Sequence, residues 1–373
     1  MRDSAGVEVV QTQAPPEPLP WRVSAEPSVR IGADPASADG ALYRVVGVAS
    51  VPGGDIVIAN AGSSELLFYD RTGSRGRVAG GEGQGPSEFM GMAGMVVGPG
   101  DSIHVFDGAS QRFSVFTSEG DFVRDQRVPT DSTLLSRLVA LTADGFVMLP
   151  RSRNDAGTAS EIRRWRDSTR FMLLRGDEVE PLPAYRWTEM WETPDSYGWV
   201  MFGGSDITAF EAEGARAADG YDGSLVFLSL DGSVRRIARW PAEPQDFDLD
   251  AMIQAARDMG ASEDQLRDAE AQVRDEPYQF PETVQAYDEQ VVDAEGVSWL
   301  RRQRFPWHDP LNTGDRWDLV SAEGRLLGYV DLSPGFVPHE IGESYLLGVS
   351  TDPLGVEVVH LYELERVAEA AGN

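Results

Sequence analysis

Gly54-Asp55-Ile56-Val57-Ile58-Ala59-Asn60 and Ser102-Ile103-His104-Val105-Phe106-Asp107 are two copies of one pattern. Ile56 answers Ile103, Ile58 answers Val105 and Asn60 answers Asp107, a shift of 47 residues. The same shift lays Leu66-Leu67-Phe68-Tyr69 on Phe113-Ser114-Val115-Phe116, and Gly73 on Gly120. Each copy reads as a strand, a short polar turn, a second strand and a turn ending in glycine, with a further strand over 75–78 or 121–128.

Weaker echoes recur to the end of the chain. Leu225-Val226-Phe227-Leu228 runs through Asp231-Gly232 into 234–240, and Trp317-Asp318-Leu319-Val320 through Glu323-Gly324 into 326–332. Short strands in units of forty-odd residues, punctuated by glycine turns, are the pattern of propeller blades. Six units follow, at about 43–79, 91–128, 136–184, 198–241, 286–332 and 337–364. The last runs out of chain after its third strand, and an open sheet edge must be covered. Residues 21–31, with Trp21-Arg22-Val23 and Ser28-Val29-Arg30-Ile31, are the expected cover. The expected architecture is therefore all-β: a six-bladed β-propeller over 21–366, closed by an N-terminal strand. Residues 1–20 are expected to be a flexible proline-rich lead-in and 367–373 a tail.

One segment departs from the β pattern. Leu249, Met252, Ile253, Ala256 and Met259 fall at helical spacing after Asp248, a natural N-cap, and Gly260 is a natural stop. Ser262 with Gln265 forms a capping-box pattern that opens a second helix before Pro277. A helical hairpin over about 248–275, inserted between blades 4 and 5 and lying on the propeller, is expected.

Composition narrows the chemistry. The 373 residues carry 61 Asp and Glu against 32 basic residues, all arginine, for a net charge of −29, and there is no cysteine. Without lysine there is no Schiff base and no P-loop lysine. Without cysteine there is no thiol nucleophile, thiolate metal site or disulfide. The charge opposes nucleic acid and anionic membrane surfaces. No apolar run is long enough for a membrane-spanning helix, and a monomer is expected. Replacement of every lysine fits either a GC-rich genome or adaptation to salt.

The junction Gly80-Gly81-Glu82-Gly83-Gln84-Gly85-Pro86-Ser87-Glu88-Phe89 resembles the G-x-G-x-GPGEF linker between blades of NHL-repeat propellers, with Ser87 where glycine is usual. Residues 41–128 carry that resemblance, and the whole chain is similar to bacterial six-bladed propeller proteins. Such proteins are commonly exported, often as lipoproteins. The resemblance therefore implies an extracytoplasmic location, although Met1 to Pro20 contains no apolar signal segment. Functions on this fold range from binding scaffolds to hydrolases and lyases.

The four histidines lie far apart in sequence, and no catalytic residue or metal ligand set is assigned. Propeller lactonases hold a divalent ion with Glu, two Asn and Asp; only four asparagines occur here (Asn60, Asn154, Asn312 and Asn373), which argues against that site. The local exceptions to the acidity are more informative. Residues 151–175 hold seven arginines against three acids, followed by a run of aromatics. Arginine forks bind carboxylates, and tryptophan faces bind sugars, peptides or cations. Arg163, Arg164, Trp165, Trp187 and Trp191 form one candidate ligand cluster. Arg301, Arg302 and Arg304, with Trp307 and His308, form the other. The competing reading is that these tryptophans pack between blades and these arginines neutralise neighbouring acids. The expected function is non-enzymatic binding of a peptide, carbohydrate, anionic small molecule or protein at one face of the channel, with no cofactor. The alternative is a metal-dependent propeller hydrolase, lactonase or lyase with a channel Ca²⁺.

Overall fold

The computed structural model describes residues 2–4, 6–14, 17–32, 42–129, 134–151, 161–205, 207–242, 244–303, 314–351 and 355–367. Six antiparallel sheets stand around a central channel, each entered by its innermost strand. Those strands are Val45–Ser50, Met92–Val97, Leu135–Leu141, Ile207–Glu211, Tyr287–Val292 and Phe336–Ile341. Each lies beside the innermost strand of the next blade, and blade 6 returns to blade 1. We call the end at which these strands begin the upper face.

The apolar runs that mark the repeat are second strands buried on both sides. Ile56, Val57, Ile58 and Ala59 are all within 1% of complete burial, because both faces of a blade meet a neighbouring blade. The core is accordingly six clusters, one at each blade junction, plus a seventh under the helices. Asn60 and Asp107, at the upper ends of second strands, are almost fully buried. Their carboxamide and carboxylate accept the backbone N–H of Tyr43 and Met90, which lead into the innermost strands, at 2.9 and 2.8 Å. That shared job explains why the two positions match across the repeat.

The linker after blade 1 wraps around one guanidinium. Arg112 donates to the carbonyls of Gln84 at 3.1 Å and Gly85 at 2.8 Å, and also to that of Glu88. Ser87 sits there at φ 62°, a left-handed conformation that suits glycine. Ser87→Gly should raise stability by about 0.5–1 kcal/mol, read as a shift of the urea midpoint at unchanged slope.

Blade 6 takes three strands from the C-terminal end of the chain (Phe336–Ile341, Tyr345–Thr351, Glu357–Glu365). Its outer edge is made by Arg22–Val23 and Val29–Ile31, antiparallel to Glu357–Glu365. The N-terminal strand closes the ring, as the missing strand of the sixth unit required. Within this seam His360 lies opposite Arg30, and its Nε2 is 2.7 Å from Ser350 Oγ. Its Nδ1 is buried without a hydrogen-bond partner. Burial, seconded by Arg30, holds the His360 pKa down to about 4. The folded state therefore refuses a proton that the unfolded chain accepts near pH 6.5, and stability falls as pH drops from about 6.5 to about 4. Allowing for partial exposure, His360 contributes about 1–2 kcal/mol of that loss. The wild-type difference in urea midpoint between pH 7 and 4.5 should shrink in His360→Gln.

Residues 1–20 differ from the expected flexible lead-in. Arg2–Ser4 and Val7–Gln11 form a hairpin, and the second strand pairs in parallel with Val234–Arg239, the outer strand of blade 4. Glu8 anchors it through Arg236 at 2.7 Å. Leu19 N–H then donates to the Tyr329 carbonyl of blade 5. The N-terminal segment thus crosses the outer edges of three blades. Its alternating Val7-Glu8-Val9 pattern is a strand signal too short to stand out without the edge it completes.

The blade 3–4 boundary also differs. Blade 3 does not end at 184: Arg163–Arg175 and Glu178–Glu192 form a long hairpin, joined by Tyr197–Trp199, and blade 4 begins at Ile207. The hairpin pairs with Phe146–Pro150 only near its turn and rises above the upper face as an arch. The helical insertion matches the expectation closely. Helix α1 (Leu249–Asp258) is capped by Asp248, and α2 (Glu263–Asp275) by the Ser262–Gln265 capping box. It docks on the arch: Phe247 lies near both Phe202 and Phe280, and Tyr278 meets Trp191 edge-on. Among the described residues no helix is long and apolar enough to cross a membrane.

Candidate functional site

The arch carries the first sequence cluster, and strand alternation divides it. Opposite residues are Arg163 and Glu192, Trp165 and Met190, Asp167 and Thr188, Thr169 and Arg186. These share one side, because side chains two apart along a strand share a face. Arg164, Trp187 and Trp191 therefore point the other way. Trp191 is buried against Tyr278 and donates its indole N–H to the Trp199 carbonyl at 2.9 Å. Gly198 leaves room for that ring; a Cβ there would lie 2.9 Å from it. Arg164 donates to the Phe280 carbonyl at 3.1 Å and pairs with Glu189 at 3.3 Å. Trp187 stacks on Tyr221 beneath the guanidinium of Arg166, 3.9 Å above its ring. Arg163 pairs with the buried Glu192 at 2.7 Å and covers Trp165. The structure thus gives Arg163, Arg164 and Trp191 packing and charge-neutralising partners.

The second cluster separates as well. Arg302 holds Asp318, a fully buried carboxylate, at 2.9 Å. Asp318 also accepts the Tyr287 hydroxyl at 2.5 Å, and that hydroxyl accepts the Trp240 indole N–H at 2.8 Å. Burial raises the Asp318 pKa while Arg302 opposes the rise. Arg301 pairs with Asp288 at 2.7 Å. Arg304, Trp307 and His308 lie outside the described residues.

A cleft opens between blades 3 and 4, where the inter-blade core is thinnest among the described residues, with five buried side chains. Its upper part is a cavity of about 470 Å³ beneath the arch, lined among others by Asp167, Thr169, Arg186, Thr188, Trp199 and Ser205. Arg186, Ser205 and Leu149 also line a deeper cavity of about 260 Å³ that reaches Arg137, Thr208, Asp288 and Glu289. Beads of one cleft, the two run from the upper face to the channel wall. Four blades meet around its floor: Arg137 of blade 3, Thr208 of blade 4, Asp288 and Glu289 of blade 5, with His339 of blade 6 within electrostatic reach of Arg137.

The innermost strands aim these side chains with bulges. Two residues oppose one where Asp288 sits and again where His339 sits, so each extra residue interrupts the ladder. His339 is solvent-exposed yet enclosed by the channel wall. That enclosure, seconded by Arg137, lowers its pKa to about 4, so the imidazole is neutral at pH 7. Burial raises Asp288 and Glu289 above the usual carboxylate range, against the pull of Arg301 on both and of Arg137 on Glu289. Asp288 is neutralised by Arg301. Neither Arg137 nor Arg186 has a carboxylate within ion-pair distance among the described residues.

Of the sequence candidates, Arg301 reaches this floor through Asp288. Arg137, Arg186, Asp288, Glu289 and His339 were not singled out as ligand residues. Each is an ordinary polar residue in a strand, and only ring closure brings blades 3, 5 and 6 together. Among the described residues no three His, Asp or Glu side chains stand together so as to hold a metal ion.

No protein-family model matches the chain, and no curated protein does. Solved structures do match in fold. A member of the DUF4221 family from Bacteroides vulgatus aligns with a TM-score of 0.55 at 11% identity, over 93% of this chain and 99% of that one. Virginiamycin B lyase from Staphylococcus aureus aligns at 0.45 and 7%, over 93% and 100%. The calcium-binding protein regucalcin from Agrobacterium tumefaciens aligns at 0.42 and 11%, over 96% of each chain. At these identities the likeness is one of fold: this chain is a six-bladed β-propeller.

Proposed function

We propose that the protein is a binding propeller whose upper-face cleft takes a ligand bearing a carboxylate or a similar small anionic group. The pair Arg137 and Arg186 carries this reading. Both line the inner cavity, and neither makes a contact ion pair with a carboxylate among the described residues, although Glu289 lies within electrostatic reach of Arg137, in a chain with 61 acids to 32 arginines. An arginine fork in a partly enclosed site is a strong receptor for a carboxylate, since charge-assisted bonds gain from the lower local dielectric. The net charge of −29 repels anions at a distance. Such a ligand must bind at short range, and screening salt should weaken the complex less than it weakens a surface encounter.

The test is calorimetric titration with citrate, succinate, inorganic phosphate and trigalacturonate, against wild type and Arg137→Gln/Arg186→Gln. At least one probe should bind, and the double variant should bind it at least about thirtyfold more weakly, given 1.5–3 kcal/mol per charged hydrogen bond. Unchanged affinity in the variant, or no binding of any probe, would sink the reading.

The same proposal places the protein outside the cytoplasm, on the resemblance of its 80–89 linker to that of commonly exported propellers; cell fractionation tests it. For the hydrolase or lyase alternative, bound Ca²⁺ lost together with an activity on chelation would be the supporting result.

A further inference from the structure

We infer that the ligand of the cleft is an acidic oligosaccharide, the C–H face of one ring on Trp199 and a carboxylate on Arg186 and Arg137. This rests on the anion-binding reading above and gives it a substrate class. Among the described tryptophans Trp199 is the one mainly exposed, at 71%, whereas Trp299 and Trp317 are at 0%. An indole left in water at the rim of a cavity is unusual, because burying it is otherwise favourable. Its position is held from behind by the Trp191 indole, bonded to its carbonyl, and by pairing with Met190. The backbone of Trp199 is thereby fixed, and its indole offers an exposed apolar surface on the side of the arch that lines the cleft.

Between that surface and Arg186 the wall is hydroxylic. Thr169, Thr188 and Ser205 line the cavity, and their hydroxyls have no protein partner among the described residues. Hydroxyls both donate and accept, which suits a ligand whose own groups do the same. Asp167 adds an acceptor for ligand hydroxyls. From the Met190–Trp199 pair to Arg186 is four residues of strand, roughly 13 Å at 3.3 Å per residue, the reach of a short oligosaccharide. A sugar uses all three features: a C–H face for the indole, hydroxyls for the wall, a carboxylate for the guanidiniums. A phosphate ester leaves the indole idle, and an acidic peptide leaves the hydroxyls unmatched.

The experiment titrates trigalacturonate, neutral maltotriose and citrate into wild type, Trp199→Ala and Arg137→Gln/Arg186→Gln, with thermal melts to confirm folding. Trigalacturonate should bind most tightly and shift the tryptophan fluorescence. Trp199→Ala should weaken it about tenfold and leave citrate unchanged. If citrate binds as tightly as trigalacturonate and Trp199→Ala alters neither, the sugar inference is overturned while the anion-binding reading stands. If maltotriose matches trigalacturonate and the arginine variant binds both normally, the anionic part falls with it. Should no probe bind the wild type, both readings fall.

Discussion

Deleting residues 2–31 is expected to abolish cooperative folding. The deleted segment supplies the outer strand of blade 6, and with it Val29 and Ile31, which are 4% and 3% exposed. Both belong to the core cluster shared by blades 6 and 1, which also contains Val48, Ile58, Leu347 and Val359. Burying each is worth about 1.5–3 kcal/mol, and the ladder to Glu357–Glu365 adds roughly 1 kcal/mol per bond. Trp21 is lost as well; it contacts Trp299 at 5.9 Å and lies under the Arg366 guanidinium at 5.0 Å. The sum, on the order of 5–10 kcal/mol, equals the whole stability of a typical domain. The deletion also leaves the edge of blade 6 open to other chains. Urea denaturation followed by circular dichroism should show no native baseline, and light scattering should show aggregation. Removing only residues 2–11 strips the added hairpin from blade 4 but spares the seam, and should cost far less. A fragment beginning at residue 32 that unfolds as sharply as wild type would refute this account of closure.

Arg302→Met should cost about 3–5 kcal/mol at pH 7, the usual penalty for leaving a buried charge alone. Asp318 has 0% side-chain exposure, and one of its oxygens already lacks a hydrogen-bond partner among the described residues. Without the guanidinium its pKa, already raised by burial, rises further. The folded state then holds a proton that the unfolded chain releases near pH 4. The penalty is thus greatest above the folded-state pKa and shrinks as pH falls through it. Urea midpoints at pH 7 and 5 should therefore converge toward wild type at the lower pH. A second substitution, Asp318→Leu, should restore much of the loss at pH 7, because removing both charges is far cheaper than removing one. A loss below about 1 kcal/mol for Arg302→Met would leave Arg302 free for the ligand role that its sequence position suggested.

Arg302 shows where the sequence was legible and where it was not. The run Trp299, Arg301, Arg302 marks a place where arginines oppose the global acidity, and the structure uses both arginines on acids. Alternation sends one to the channel, on Asp288, and its neighbour to the blade 4–5 junction, on Asp318. The rule that neighbours face opposite ways is in the sequence; which side is channel is not. The arch repeats the lesson. Its arginines and tryptophans were visible as a cluster, but their 13- and 15-residue strands were not, because charged residues at alternate positions obscure the apolar period.

Local patterning specified the number of blades, the closing strand and the helix caps, because each depends on local periodicity or on one residue meeting a neighbour a few positions away. The 47-residue shift, the missing fourth strand of the last unit, and the Asp248 and Ser262 caps all have that character. The cleft comes from the ring as a whole. Arg137, Arg186, Asp288, Glu289 and His339 are scattered over two hundred residues and share no motif. Arg137, Asp288, Glu289 and His339 converge because a closed ring turns the first strand of every blade toward one channel; Arg186 joins them from the arch, because the packing between blades 3 and 4 is thin enough to leave that channel open to the upper face.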